Sequence, residues 1–509
     1  MDQQLALEIM LEGQSVLLTG PAGSGKTYVL NQFIRRAKQA KKHVSVTATT
    51  GLAATHIGGN TIHSWSGIGI HDELPNDFED YLLKSRRDTI ELTDVLIIDE
   101  ISMMHDYRLD MVDKVARVVR QDERPFGGIQ VVLCGDFFQL PPINREEGRQ
   151  GSFVVSSKVW EALDPVICYL GEQHRQDDEK LLSILNALRQ GDIRRGHAET
   201  LLTRIDAELD DDRVTELHTV NVDVDRINKA RLAAVEGEEK VYEATTTGAD
   251  NYVQSLKRSC LAQDRLVLKI GALVMAIKNS PERKYVNGSI GTVVGFDVLT
   301  NYPIVEFRSG RTVTMKPDTW ELRDGDKKRA GLSQIPLRLA YAITVHKSQG
   351  MTLDAARIDL RRAFVEGMGY VALSRVRSLD GLSLIGINRM ALRISDEALR
   401  IDEDLRKKAC DDHARFEYLR KNADKRRKNE AKKALDKEKK ATSWAERLEK
   451  MREKHPNAYR PWTDKDDAEL KLLFQNGTDL KTLSKKFGRH ERSIVLRLQK
   501  HFGEDAISK

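Results

Sequence analysis

Cysteine is scarce and scattered in this chain. Cys134, Cys168, Cys260 and Cys410 show no metal-ligand spacing, so reduced thiols in an intracellular protein, and no zinc site, are expected. No run approaches the ~18 consecutive apolar residues of a membrane span, which removes a membrane from the expected partners. The first residues lack a basic region followed by an apolar core, so no secretory signal is expected. Residues 420–454 contain neither Gly nor Pro. They also lack a sustained apolar heptad, which argues against a coiled coil and leaves a solvated helix or a flexible linker. Positive excess is missing from residues 1–400, with 52 Lys and Arg against 56 Asp and Glu, whereas residues 401–509 hold 30 against 21. General attraction to a polyanion therefore belongs to the tail.

What is present is ordinary in bulk and specific in detail. The chain has 509 residues, 40% hydrophobic and 31% charged, enough for about three or four domains. Near its start stands "GPAGSGKT", an apolar strand pattern before it and helical apolar spacing (Val29, Leu30, Phe33, Ile34) after it. This is the phosphate-binding pattern in its required strand–loop–helix context. Gly20, Ala22, Gly23, Ser24 and Gly25 would turn backbone N–H groups toward phosphate at a helix N-terminus. Lys26 would reach the β- and γ-phosphates, and Thr27 would hold Mg²⁺. The strand "VLIIDE" delivers Asp99, to hold Mg²⁺ through water, and Glu100, to deprotonate the attacking water. The next strand ends "LCGDFFQLPP", placing Gln139 to bridge the γ-phosphate and a second domain.

Alternating strands and helices predict α/β architecture with parallel sheets. One block covers 1–165; a second, opening at "VICYL", covers 166–235 and 336–395. Between them, 236–335 reads as short strands with a hairpin signal at Asn287-Gly288, a small β-barrel inserted in the second block. Residues 396–458 read as the charged linker and 459–505 as three short helices.

Seven motifs in order, "GPAGSGKT", "TATTGLAATHIGGNTIHSW", "LIIDEISM", "FGGIQVVLCGDFFQLPP", "EQHRQ", "AYAITVHKSQGMTLD" and "YVALSRVRS", closely resemble the PIF/RecD-like, B-branch DNA helicases of superfamily one, over roughly residues 1–395. The resemblance implies two RecA-like P-loop domains closing on ATP. It implies γ-phosphate arginines at Arg175 and Arg375, a γ-phosphate-sensing Gln139, and an adenine-reading glutamine at Gln3 or Gln4. It implies DNA contacts from a small insertion near 51–66: Thr50, Gly51 and Asn60 to phosphates, His63 and Trp65 stacking on or wedging bases. His346 and Lys347 match the motif coupling DNA to ATP. The implied activity is an ATP-dependent DNA helicase moving 5′-to-3′ on single-stranded and forked DNA in genome maintenance. A nucleic-acid-stimulated ATPase that remodels protein–DNA complexes is the alternative. A monomer is expected, in the cytoplasm (nucleoid-associated) of a prokaryote or the nucleus or mitochondrion of a eukaryote.

The C-terminal stretch resembles Myb/SANT-like helix-turn-helix modules. Thr463 or Asp464 caps its first helix and Asp479 its second. Trp462, Leu470, Leu473, Leu483, Ile494 and Leu498 would form the core, and the third helix would present Arg492, Arg497 and Lys500 to DNA. His490 stands where a Thr or Ser cap is usual. Such a bundle also serves to dock a protein partner, and both readings stay open.

Overall fold

The computed structural model describes residues 1–502 other than 70, 71, 76, 143, 145–149, 172–177, 210–213, 261, 279, 281, 283, 286, 287, 309, 325, 326, 427, 429–450 and 461. It forms two compact units, Met1–Ala423 and Asp424–Lys509. Among the described residues, no helix is long and apolar enough to cross a membrane.

The first unit is built on two parallel sheets. Strands β1 (Val16–Thr19), β2 (Val44–Ala48), β3 (Asn60–Thr61), β4 (Val95–Asp99), β5 (Gln130–Cys134) and β6 (Val166–Tyr169) lie in the order β3-β2-β4-β5-β1-β6. Strand β1 sits between β5 and β6, with Val16 opposite Val132 and Val166. The strands β1, β5 and β6 are buried throughout, which is why they read as continuous apolar runs rather than alternating ones. One expectation is corrected here. "VICYL" does not open the second block; as β6 it completes the first sheet beside β1.

The second sheet is parallel and four-stranded, with Thr215–His218 between Ala342–Thr344 and Ala356–Leu360, and Leu382–Ile387 at its edge. Between its strands in sequence lie antiparallel sheets of two, three and five strands. The five-stranded one takes in Leu337–Leu339, which pairs with Leu273–Ala276, so the α/β pattern resumes only after Leu339. Asn287 of the expected hairpin turn lies outside the described residues. The helix Glu179–Arg189 ends where Gly191 takes φ +66° and donates its N–H to the Leu188 carbonyl, the left-handed stop that glycine permits.

The linker expected from residue 396 is corrected as far as 423. The helix Asp396–Arg415 buries Ala398, Ile401 and Leu405. Its Asp412 carboxylate accepts the Ile167 N–H at 2.8 Å, and Phe416 and Leu419 join the core beneath the first sheet. A strongly charged helix hides its apolar stripe at every third or fourth residue, and that stripe covers the first sheet.

The second unit contains helices Asp464–Gln475, Leu480–Phe487 and Glu491–Phe502 around Leu470, Leu483, Phe487, Ile494 and Leu498, with Trp462 and Leu473 against them. Thr463 caps the first in a reciprocal capping box, and Asp479 caps the second. His490 substitutes for a hydroxyl cap: its Nδ1 accepts the Arg492 N–H at 3.2 Å.

Candidate nucleotide and nucleic-acid sites

The C-terminal ends of parallel strands are where open α/β sheets bind ligands, and both sheets contribute here to one cleft of 440 Å³. Ala22, Gly23, Gly25, Lys26, Thr27, Glu100 and Gln139 line it from the first sheet, and Gly350, Thr352, Arg375 and Arg377 from the second. Gly25 takes φ +85° at the head of the helix Lys26–Gln39; a Cβ there would meet Gln3 Nε2. That close approach selects Gln3 over Gln4 as the glutamine on the loop, where Gln3 Nε2 donates to the Ser24 carbonyl at 3.0 Å. Lys26 Nζ donates to the carbonyls of Gly20 at 2.7 Å and Pro21 at 3.0 Å. Burial holds its pKa below the ordinary lysine value, partly opposed by the Asp136 charge.

Asp99 ends β4, and Glu100 follows it at φ +53°. A non-glycine residue in the left-handed region is strain of the kind found at functional sites. Burial pushes Asp99 up. Burial first, and the Asp99 charge second, push Glu100 up to about 7, a value suited to a group that takes and returns a proton near neutrality. Thr27, Asp99 and Glu100 also line a neighbouring 330 Å³ cavity with Thr50, His346, Lys347 and Gln349.

Arg375 is 1% exposed, which excludes a surface salt bridge. Its guanidinium donates to the carbonyls of Val371 at 2.8 Å and Met351 at 3.2 Å, and to Ser374 Oγ at 2.8 Å. Arg175 lies outside the described residues. A network absent from the motif reading supports the cleft. Arg189 donates to Asp136 at 2.7 Å, Tyr370 OH at 3.1 Å and Tyr169 OH at 3.0 Å. Tyr370 OH in turn accepts the Ala22 N–H of the phosphate loop at 3.0 Å. Burial works against charge on Asp136, but Arg189 overrides it and keeps the carboxyl below its usual range. Nothing in the sequence around Arg189 signals this, because its partners come from distant segments.

The nucleic-acid candidates divide. Thr50 shares the 330 Å³ cavity with His346 and Lys347. Gly51 and Asn60 line a separate 350 Å³ groove with Lys278, Trp320 and Glu321 of the antiparallel insertion. Lys278, whose ammonium lies 5.0 Å from the Trp320 ring centre, belongs to no motif and was invisible in the sequence. Trp65 is corrected: at 6% exposure it is part of the core, so its ring has no face to offer a base. His63 is half-buried. Its Nε2 lies 3.2 Å from Arg108 Nη1, and burial, then the Arg108 charge, hold its pKa down to about 4; it is a neutral acceptor for an arginine.

In the second unit, Arg492 and Lys500 are exposed on the third helix. Arg497 is not available: its Nε donates to Asp467 Oδ1 at 2.7 Å, and its guanidinium lies 5.7 Å from the Trp462 ring centre.

Residues 2–197 match the PIF1-like helicase family, and 251–296 match the DNA helicase Pif1, 2B domain. The ATP-dependent DNA helicase Pif1 of Psychrobacter sp. is 40% identical over 482 residues, covering 82% of this chain and 73% of its own. The chain belongs to the PIF1-like helicase family. The ATP-dependent DNA helicase PIF1 of Xenopus laevis is 37% identical over 80% of this chain, which spans 64% of that relative. A crystal structure of a Bacteroides Pif1 helicase in complex with ADP-AlF3 and ssDNA is 31% identical with a TM-score of 0.61, over 80% of this chain and 96% of that one. The 2B match falls on the helix Asp250–Ser259 and the strands through Phe296, the first part of the antiparallel insertion.

Proposed function

We propose that this chain spends ATP on 5′-to-3′ travel along single-stranded DNA and on unwinding duplex or forked DNA in genome maintenance. It is an ATP-dependent DNA helicase. The observation that carries the reading is one cleft lined by Lys26, Thr27, Glu100 and Gln139 from one parallel sheet and Arg375 from the other. Closure of the two RecA-like halves would bring these groups around a triphosphate. Lys26 and Arg375, with Arg175, would neutralise charge on the transferred phosphoryl group. Gln139 would sense the γ-phosphate, Gln3 the adenine, and Glu100 would take the proton of the attacking water.

Thr27 and Asp99 fit Mg²⁺. A hydroxyl and a buried carboxylate bordering one cavity are hard oxygen donors, and Mg²⁺ characteristically takes few protein ligands beside phosphates and water. Bound there, it would offset phosphate charge. DNA would contact Thr50, Gly51, Asn60, His346 and Lys347. The insertion over 236–339 would act as a small barrel closing over the strand. We also read the C-terminal helices as a Myb/SANT-like module holding DNA through Arg492 and Lys500, in a chain that acts as a monomer.

Strand displacement on duplexes with 5′ or 3′ tails, in DNA and in RNA, tests this. Unwinding of 5′-tailed DNA is expected. Displacement of a bound protein without strand separation would instead establish the remodelling alternative.

A further inference from the structure

The turn His346–Ser348 carries the two residues assigned to the strand, and the next residue reaches the other half of the ATP cleft. Gln349 is 8% exposed. Its Nε2 donates to Glu100 Oε2 at 2.9 Å and to Gln139 Oε1 at 3.1 Å. An amide nitrogen has two protons, so this one side chain fills both. Gln139 Nε2 approaches Asp136 at 3.4 Å, continuing the chain of contacts toward Arg189. Gln349, His346 and Lys347 all border the cavity that holds Thr27, Asp99 and Glu100. The turn is held at Lys347, whose N–H donates to Thr344 Oγ at 3.3 Å and whose Nζ donates to Asn221 Oδ1 at 3.0 Å.

We propose that Gln349 is the positioning residue through which an engaged DNA strand controls Glu100. Its amide occupies Oε2 of the Glu100 carboxylate and ties that oxygen to Gln139. An oxygen engaged by that amide is not placed to receive the attacking water. A phosphate gripped by His346 and Lys347 competes with the contacts that hold their turn. Movement of that turn draws Gln349 off Glu100, which then accepts the proton as the water oxygen bonds to the γ-phosphorus and the bond to ADP breaks. The inference rests on the assignment of Glu100 to the water and of His346 and Lys347 to the strand.

The test is steady-state ATP hydrolysis by the full chain with and without saturating oligothymidylate, for wild type and Gln349→Met, which keeps length and burial but donates nothing. Basal hydrolysis should rise about tenfold, the scale of one hydrogen bond to a charged group, and the stimulation by DNA should fall by a similar factor. Gln349→Ala should change both in the same direction, which guards against a packing defect peculiar to Met. Affinity for a fluorescent ADP analogue should hold, showing a folded cleft. Equal loss of basal and stimulated rates would overturn the proposal and make Gln349 a prop for Glu100. Unchanged rates would also overturn it. Glu100→Gln run in parallel should lose hydrolysis in both conditions. Retained hydrolysis there would strike the assignment of Glu100 itself and take the proposal with it.

Discussion

Arg375 in the unit Met1–Ala423 and Arg492 in the C-terminal module illustrate two uses of the same side chain. Arg375 is 1% exposed and its protons are held by backbone carbonyls at the rim of a cleft. Arg492 is exposed on a helix whose neighbour Arg497 is consumed by Asp467. A buried guanidinium acts at one place, at short range and in a low dielectric, where its charge is worth most. An exposed one acts over roughly a Debye length and is dimmed by salt. The first unit should therefore fail by losing chemistry, and the module by losing salt-dependent grip.

The sharpest break is Lys26→Ala. Hydrolysis should disappear while single-stranded DNA affinity stays largely intact, because Lys26 faces the cleft whereas Asn60 and Lys278 line a separate groove. DNA-stimulated hydrolysis and DNA titrations on the same preparation check it. Turnover within a few-fold of wild type would sink the assignment of the loop.

Arg375→Ala should slow hydrolysis by ~10³-fold, the range of an arginine finger, with a smaller change in nucleotide affinity, since the contact is strongest in the transition state. Burial adds a consequence that a surface arginine would not have. The Met351 carbonyl loses its Arg375 donor and the Val371 carbonyl keeps only Ser374 Oγ, so the melting temperature should fall as well. A lowered melting temperature with normal turnover would make Arg375 a structural residue only. Arg175→Ala should slow hydrolysis on the same scale.

How far the sequence reveals such residues depends on what a pattern can encode. "GPAGSGKT" and "VLIIDE" are local, and a strand–loop–helix or a strand with an acidic end keeps its geometry wherever it sits. "VICYL" announced a buried strand, yet burial on both faces is the same signal in either sheet, so its pairing with β1 was not legible. The helix Asp396–Arg415 looked like linker because its charges outnumber an apolar stripe of few residues. Trp65 follows small polar residues in a motif that the resemblance ties to DNA, but an aromatic ring finds the core when one is adjacent. Gln349 stood inside a quoted motif, and no spacing rule announces a hydrogen bond spanning 249 residues to Glu100.

In the module, Arg497→Ala should lower stability by ~1.5–3 kcal/mol, the range for hydrogen bonds to a charged partner, and toward the lower end because the pair is partly exposed. The hydrogen bond from Arg497 holds Asp467 at about 2. A carboxyl depressed in the fold contributes stability above its ordinary pKa of about 3.9 and loses it as pH falls toward 2. Acid melting of the full chain should show a low-pH loss in the module's transition that Arg497→Ala reduces. An unchanged acid limb would remove Asp467 from the account.

The smallest effect, and the one that bears most on the module, comes from removing it. Residues 424–509 carry 24 Lys and Arg against 15 Asp and Glu. Cutting at 396 would also remove Asp412, Phe416 and Leu419 from beneath the first sheet, so the informative deletion begins at 424. Met1–Ala423 should keep DNA-stimulated hydrolysis at saturating DNA. Its DNA affinity should fall most at low salt, and each lost phosphate contact should lower the salt slope by roughly 0.7 to 0.9. A module that docks a protein predicts no change in affinity or slope with purified DNA. Titrations of the full chain and the deletion at several salt concentrations separate the two. Identical slopes would assign the exposed Arg492 and Lys500 to a protein surface and leave the cleft chemistry where it stands.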